Sequence, residues 1–216
     1  QRQVGEGYSA PTTSEGRIFF FDRHDDQARR TARHAETGEE RWRQEYLTTY
    51  EDLYGYSGGP RASAVIDEGR VYTFGAGGRL RAHRVTDGEL LFDVDPTARY
   101  GVKQNFFGVG STPVVEGDLV IAMVGGSPPD SPSISSGEVT SNGSAVVAFD
   151  KRTGEERYRL GEDLASYAGM HVATLNGRRW GLAFVRGGLI GFEPAEGRQD
   201  FFFPWRSRKL ESVNAA

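Results

Sequence analysis

An eleven-residue pattern occurs four times in this chain, and its fixed spacing restricts the possible folds more than any other feature. In each copy, glycine follows a small residue by six positions, and an aromatic residue follows the glycine by four. The key residues are Ala32, Gly38 and Trp42; Ala82, Gly88 and Phe92; Ala148, Gly154 and Tyr158; and Gly191, Gly197 and Phe201. Self-similarity of this kind is typical of repeat architectures.

A glycine turn precedes every copy of the pattern. The turns are Glu15-Gly16, Glu68-Gly69, Glu116-Gly117 and Asn176-Gly177, and short apolar or β-branched stretches flank them. Each repeat therefore divides into four antiparallel strands joined by hairpins, with the motif glycine between the third and fourth strands. No segment shows sustained helical periodicity.

Four-stranded units of this length cannot bury both faces alone, but they can do so by packing radially as blades. The sequence predicts an all-β fold, a partial β-propeller of four four-stranded blades within one segment, 1–216. The predicted blades are 7–46, 60–96, 109–160 and 167–205, and 210–216 is predicted to open a further blade. In this packing the motif aromatic is expected to wedge against the adjacent blade.

Composition excludes several kinds of site. The chain has no cysteine, so it has no disulfide framework, thiolate nucleophile or cysteine zinc site. No run of about 18 apolar residues is present, so no transmembrane segment is expected. The net charge is −4. The densest basic stretch, Arg29, Arg30 and Arg33, is followed directly by acids, which indicates a solvated hairpin and no nucleic-acid partner.

The motif resembles the tryptophan-docking repeat of the PQQ-like propellers, A-x-D-x-x-T-G-x-x-x-W. The third copy matches at Ala148, Asp150, Thr153 and Gly154, and has Tyr158 in place of tryptophan. The first copy matches at its alanine, threonine, glycine and tryptophan, with His34 where aspartate is usual. The resemblance covers nearly the whole chain, and longer phrases look like uncharacterised secreted repeat proteins of bacteria such as planctomycetes.

Two functional classes share this repeat. The resemblance implies either a quinoprotein dehydrogenase, which holds pyrroloquinoline quinone and calcium, or a non-catalytic propeller similar to the outer-membrane assembly scaffold lipoprotein. Both have seven or eight blades, so the chain is expected to be a fragment, or to close its ring with missing blades or a second copy. The resemblance also implies a periplasmic or otherwise extracytoplasmic location, which could include association with the outer membrane.

The residues themselves favour a non-catalytic module. No catalytic residue and no metal site is predicted, and no cofactor is expected in this segment outside the dehydrogenase alternative, because the adjacent cysteines of many such enzymes are absent. His34 and His83 are assigned to turn or strand surfaces. Asp93 and Asp95 lie on one strand face and could share an ion, although a solvated edge is the safer interpretation.

A binding face is predicted where one blade's last strand leads into the next blade's first strand. Those links carry rings beside amides and charged groups, which suit a protein partner or a polar ligand. The candidate residues are Tyr56, Arg61, Asn105, Phe107, Tyr167, His171, Glu211 and Asn214. One alternative is that the rings pack between blades, and another is that the chain is a purely structural cell-surface repeat.

Overall fold

The computed structural model describes residues 4–103, 107–132 and 139–205, which form four four-stranded antiparallel sheets and one short helix. The strands of the first two sheets are β1 (Thr12–Ser14), β2 (Arg17–His24), β3 (Gln27–His34), β4 (Glu40–Leu47), β5 (Val65–Asp67), β6 (Arg70–Phe74), β7 (Leu80–Arg84) and β8 (Leu90–Val94). Helix α1 (Pro96–Tyr100) follows. The other sheets contain β9 (Val114–Glu116), β10 (Leu119–Met123), β11 (Val146–Asp150), β12 (Glu156–Leu160), β13 (His171–Leu175), β14 (Arg178–Phe184), β15 (Gly188–Glu193) and β16 (Arg198–Pro204).

Each sheet is a meander in chain order, as the repeat predicts for a propeller blade. Blade one contains β1–β4, blade two β5–β8, blade three β9–β12 and blade four β13–β16. The pairing of third and fourth strands shifts register directly after the first motif residue in every blade, at Ala32, Ala82, Ala148 and Gly191. The sequence repeat is therefore also a repeat of backbone geometry.

The motif turns are stabilised by short polar side chains. In blade three, Asp150 Oδ1 accepts hydrogen bonds from the backbone N–H groups of Arg152 (2.8 Å) and Thr153 (3.0 Å). In blade one, His34 Nδ1 accepts from the backbone N–H of Thr37 at 3.3 Å. The histidine thus supplies the turn acceptor that aspartate supplies in the other copy.

Contacts divide the chain into two compact units. The described residues of 1–94 and 106–112 form the first, which contains blades one and two, and those of 95–105 and 113–216 form the second, which contains blades three and four. In the first unit, Phe19, Trp42 and Val71 belong to a shared core. In the second, Ile121, Met123 and Phe192 belong to another. Both cores combine side chains from two successive blades, so each unit buries its apolar surface by packing sheet against sheet.

The expectation of a solvated basic hairpin is wrong for Arg30. This side chain is only 2% exposed, and its guanidinium lies 5.4 Å from the Phe21 ring centroid and 4.8 Å from that of Tyr46. Arg30 Nη1 donates to Thr73 Oγ1 at 3.2 Å. Desolvation lowers the pKa of Arg30 to about 10. Successive side chains of β3 point to opposite faces of the sheet, and Arg30 lies on the face that blade two covers.

His83 is also buried, which corrects its assignment to a strand surface. It is 1% exposed and stacks on Trp42 with ring centroids 6.5 Å apart.

The short helix α1 was not predicted. Pro96 stands at its start, and Asp95 caps it by accepting from the backbone N–H of Ala98 at 3.0 Å. One helical turn is too short to produce a periodic pattern in sequence. No helix among the described residues has the length and apolar character needed to span a membrane.

Candidate functional site

The link between β4 and β5 builds the most distinctive surface of the first unit. Asp52 organises this link: its Oδ1 accepts from the backbone N–H groups of Tyr54 (2.9 Å) and Tyr56 (3.3 Å). Its other oxygen pairs with Arg61 Nη2 at 2.5 Å, and the Asp52 side chain is only 2% exposed. One buried carboxylate therefore fixes both the backbone that carries two tyrosines and the arginine beneath them.

Arg61 lies among aromatic rings. Its guanidinium carbon is 5.7 Å from the ring centroids of Tyr8 and Phe107 and 5.8 Å from that of Tyr50. Its donors also bond to the backbone carbonyls of Gly59 (3.2 Å) and Ser57 (3.1 Å). A guanidinium held by carboxylate, carbonyls and ring faces has little freedom to move, so it acts as the fixed centre of the link.

Tyr54, Tyr56 and Phe107 pack on one another at centroid distances of 5.7 to 6.2 Å. With Tyr8 and Tyr50 they form what is called below the aromatic cluster. Tyr54 and Tyr56 remain 57% and 69% exposed, and Tyr8 is 64% exposed. The buried Asp52–Arg61 pair therefore fixes the cluster, while three of its rings remain open to solvent. Such exposure is unusual for a group of large rings.

Tyr50 is the buried member of the cluster. Burial raises the pKa of its hydroxyl to about 12, so this ring carries no charge at physiological pH. Its backbone carbonyl accepts from Arg23 Nη1 at 2.5 Å, and Arg23 also reaches the Gly58 carbonyl at 3.3 Å. Two arginines, Arg23 and Arg61, thus bond to the link.

Three of the predicted binding residues, Tyr56, Arg61 and Phe107, come together in this cluster. Tyr167 and His171 lie in the second unit, where Tyr167 is half-buried and His171 begins β13 with an exposed side chain. Asn105, Glu211 and Asn214 lie outside the described residues, as does the predicted opening of a further blade at 210–216.

Sequence reasoning missed Tyr8, Arg23, Tyr50 and Asp52. Asp52 had a local signal, because an aspartate three residues before a glycine often caps a turn with its side chain. Tyr8 and Arg23 had none, since they reach the link from other parts of the fold.

The motif aromatics make a second set of contacts. Trp42 Nε1 donates to the Val85 carbonyl at 2.8 Å, and its ring lies against Gly88. Tyr158 Oη donates to the Pro194 carbonyl at 2.6 Å, and its ring lies against Gly197. Each of these contacts between neighbouring blades is called a blade joint below. In both blade joints the carbonyl acceptor precedes the contacted glycine by three residues.

The other two motif aromatics make contacts within their own blades. Phe92 packs near Tyr72, and Phe201 packs against Trp180 and Gly191.

The family is identified by comparison with known proteins. The family model described as outer membrane protein assembly factor BamB matches residues 1–127 and 28–201. The chain belongs to this family of PQQ-type repeat propellers. A search of curated protein sequences finds no match.

Solved structures agree with this BamB-like fold. BamB from Moraxella catarrhalis aligns with a TM-score of 0.57 and 16% identity, covering 94% of this chain and 53% of that protein. A europium-containing methanol dehydrogenase aligns with a TM-score of 0.60 and 14% identity, covering 94% and 44%. A quinohemoprotein alcohol dehydrogenase from Pseudomonas putida HK5 gives 0.54 and 12%, covering 90% and 34%. The chain spans about half or less of each of these proteins, and at such identities the likeness is one of fold.

In this family member, the acids and the tryptophan considered for an ion or a quinone make other contacts. No group of three or more histidine or acidic side chains among the described residues could hold a metal ion. Asp93, one of the acids considered in the sequence, bonds to Arg79 and Arg81, and Asp95 caps α1. Trp42 is committed to the blade joint through the Val85 carbonyl.

Proposed function

We propose that this chain is a non-catalytic propeller module that binds a protein partner through its aromatic cluster. The observation that carries the proposal is the pair of exposed rings, Tyr54 and Tyr56, fixed on the buried Asp52–Arg61 pair. Tyrosine dominates the energetics of many protein interfaces, because it contributes a large contact area and loses little conformational entropy. Here much of that entropy is already lost before binding, which favours affinity.

The family description supports a partner that is a protein. It names an assembly factor of outer membrane proteins, and a scaffold of that kind works by contact with other chains. We accordingly place this module outside the cytoplasm, in the periplasm or at the outer membrane. This location is part of the proposal.

The partner is to be found by photo-crosslinking from the cluster. A photoreactive benzoylphenylalanine at position 56 should give a discrete adduct in cells that make the full-length protein. Binding of the purified partner to the chain should then weaken at least about tenfold in a Tyr54→Ala/Tyr56→Ala double variant, which corresponds to about 1.4 kcal/mol.

Leu175→Ala is the matched control, because Leu175 is also a large exposed apolar side chain but lies on β13. Its affinity for the partner should equal that of the wild type. The proposal fails if position 56 gives no adduct or if all three proteins bind equally. Dye-coupled alcohol oxidation by the full-length protein with added quinone and calcium would contradict the non-catalytic part.

A further inference from the structure

The arginines around the aromatic cluster point inward. Arg23 and Arg61 have side chains that are only 12% and 11% exposed, and both are occupied by the protein's own oxygens. Arg29 is similarly enclosed, because it forms two bonds to Asp22, at 2.9 and 2.7 Å. The link itself contains no lysine or arginine between Leu47 and Pro60. Among the residues that the structure describes, this side of blade one therefore presents little positive charge to solvent.

The acids beside the cluster point outward. Asp25 and Asp26, in the turn between β2 and β3, have side chains that are 91% and 77% exposed. Glu6 is exposed as well, and its carboxylate accepts from the backbone N–H of Gly58 at 3.2 Å, which places it beside the link. Arg23 connects the two regions, since it bonds to Asp26 Oδ1 and to the Tyr50 carbonyl. Arg23 thus joins the turn that carries two exposed acids to the link that carries the exposed rings.

Exposed rings together with exposed carboxylates favour binding of cationic groups. The face of an aromatic ring carries negative charge density and attracts ammonium and guanidinium groups, and nearby carboxylates add to that attraction. The protein contains an internal example, because Arg61 lies near three ring faces of the cluster and is neutralised by Asp52.

We infer that the partner presents an arginine- or lysine-bearing peptide segment to the aromatic cluster and to the acids Glu6, Asp25 and Asp26. The inference rests on the proposed function, which it makes chemically specific. Guanidinium stacks on rings better than ammonium does, so an arginine segment should bind more tightly than a lysine segment.

The probe is a fluorescein-labelled peptide of alternating glycine and arginine, compared with its lysine and glutamate analogues by fluorescence anisotropy on the intact chain. The arginine peptide should bind best and the glutamate peptide not at all. Raising the salt from about 50 to about 300 mM should weaken binding several-fold, because exposed charges are screened. Asp25→Asn/Asp26→Asn should also weaken it several-fold, and Tyr54→Ala/Tyr56→Ala at least about tenfold.

Glu36→Gln/Glu39→Gln provides the matched control. These exposed acids lie in the turn at the opposite end of β3, so their loss removes the same charge from the same blade without touching the cluster. Equal losses in the two acidic double variants, or binding of the glutamate peptide, would overturn the inference. Binding of the crosslinked partner could require Tyr54 and Tyr56 but be insensitive to salt and to Asp25→Asn/Asp26→Asn. In that case the proposed function stands and the inference of a cationic segment is wrong.

Discussion

At the scale of single residues, blade one meets blade two through an unusually polar contact. Arg30 occupies the position at which the other blades have Leu80, Val146 and Leu189, two residues before the first motif residue. His83 lies on the facing side of blade two, and its Nδ1 finds no hydrogen-bond partner among the described residues. Desolvation, with the positive charges of Arg30 and Arg81, lowers the pKa of His83 to about 3. The folded protein therefore keeps this imidazole neutral under conditions that protonate it in the unfolded chain.

His83→Phe should make stability less dependent on pH. Blades three and four have Phe149 and Phe192 at this motif position, so a ring is compatible with the fold. In the wild type, the unfolded chain takes up a proton below about pH 6.5 and the folded protein does not until about pH 3, so stability falls as pH falls between these values. Between pH 7 and pH 5 the wild type should lose on the order of 1–2 kcal/mol more than the variant.

Urea unfolding at each pH measures the difference, with each protein referred to its own value at pH 7 so that altered packing cancels. Parallel pH profiles for the two proteins would show that His83 is solvated in the folded state.

At the scale of elements, the motif glycines Gly88 and Gly197 each do two things. Gly88 turns the chain with φ +77°, and Gly197 does so with φ +73°. An added Cβ would come within 2.7 Å of the Trp42 ring at Gly88 and within 2.3 Å of the Tyr158 ring at Gly197. The turn needs a positive φ, and the blade joint needs the space that a side chain would fill. One residue type satisfies both requirements, so the motif couples strand pairing within a blade to packing between blades.

Gly88→Ala and Gly69→Ala should separate these two requirements. Gly69 has φ +72° in the same blade, but nothing lies within 4 Å of its added Cβ. Gly69→Ala should cost about 1–2 kcal/mol from backbone strain alone. Gly88→Ala should cost about 1–3 kcal/mol more, because the Trp42 ring must also move.

Denaturant unfolding compares the two variants directly, and tryptophan fluorescence in a Trp180→Phe/Trp205→Phe background reports whether the Trp42 ring has been displaced. Equal losses of stability would mean that the blade joint accommodates a methyl group and that the glycine serves the turn only.

At the scale of the whole molecule, blade four exposes an apolar face, and the equivalent face of blade three is buried. In blade three, Leu160 is buried in the core shared with blade four. The corresponding residue of blade four is Phe203, which is 55% exposed, next to the exposed Trp205. Apolar surface of this kind lowers its free energy by contact with a second sheet, whether from a further blade or from another copy of the chain.

The 216-residue chain should therefore self-associate, and Phe203→Asp should weaken association by at least about tenfold, because a carboxylate would be buried in the contact. The variant should keep its melting temperature, since the side chain is largely exposed. Sedimentation velocity over a range of protein concentrations measures both proteins. A wild-type chain that stays monomeric throughout would contradict the prediction.

The sequence by itself determined the number of sheets, their strand order and the positions of their turns. Motif spacing, glycine turns and alternating apolar residues act between neighbours in the chain, so a repeated pattern is enough to specify repeated local structure. The same regularity assigned Tyr56, Arg61 and Phe107 to links between blades, but it put five further residues on the same predicted face.

Only the tertiary structure decided which polar groups are buried and which partners they meet. Alternation in β3 places Arg30 on one face of its sheet but does not say that another sheet covers that face. Asp52 and Arg61 meet within one link, and Tyr8 joins them from a segment far from it in sequence. Burial and pairing depend on what packs against a residue from elsewhere in the fold, and a local pattern carries no information about that neighbour.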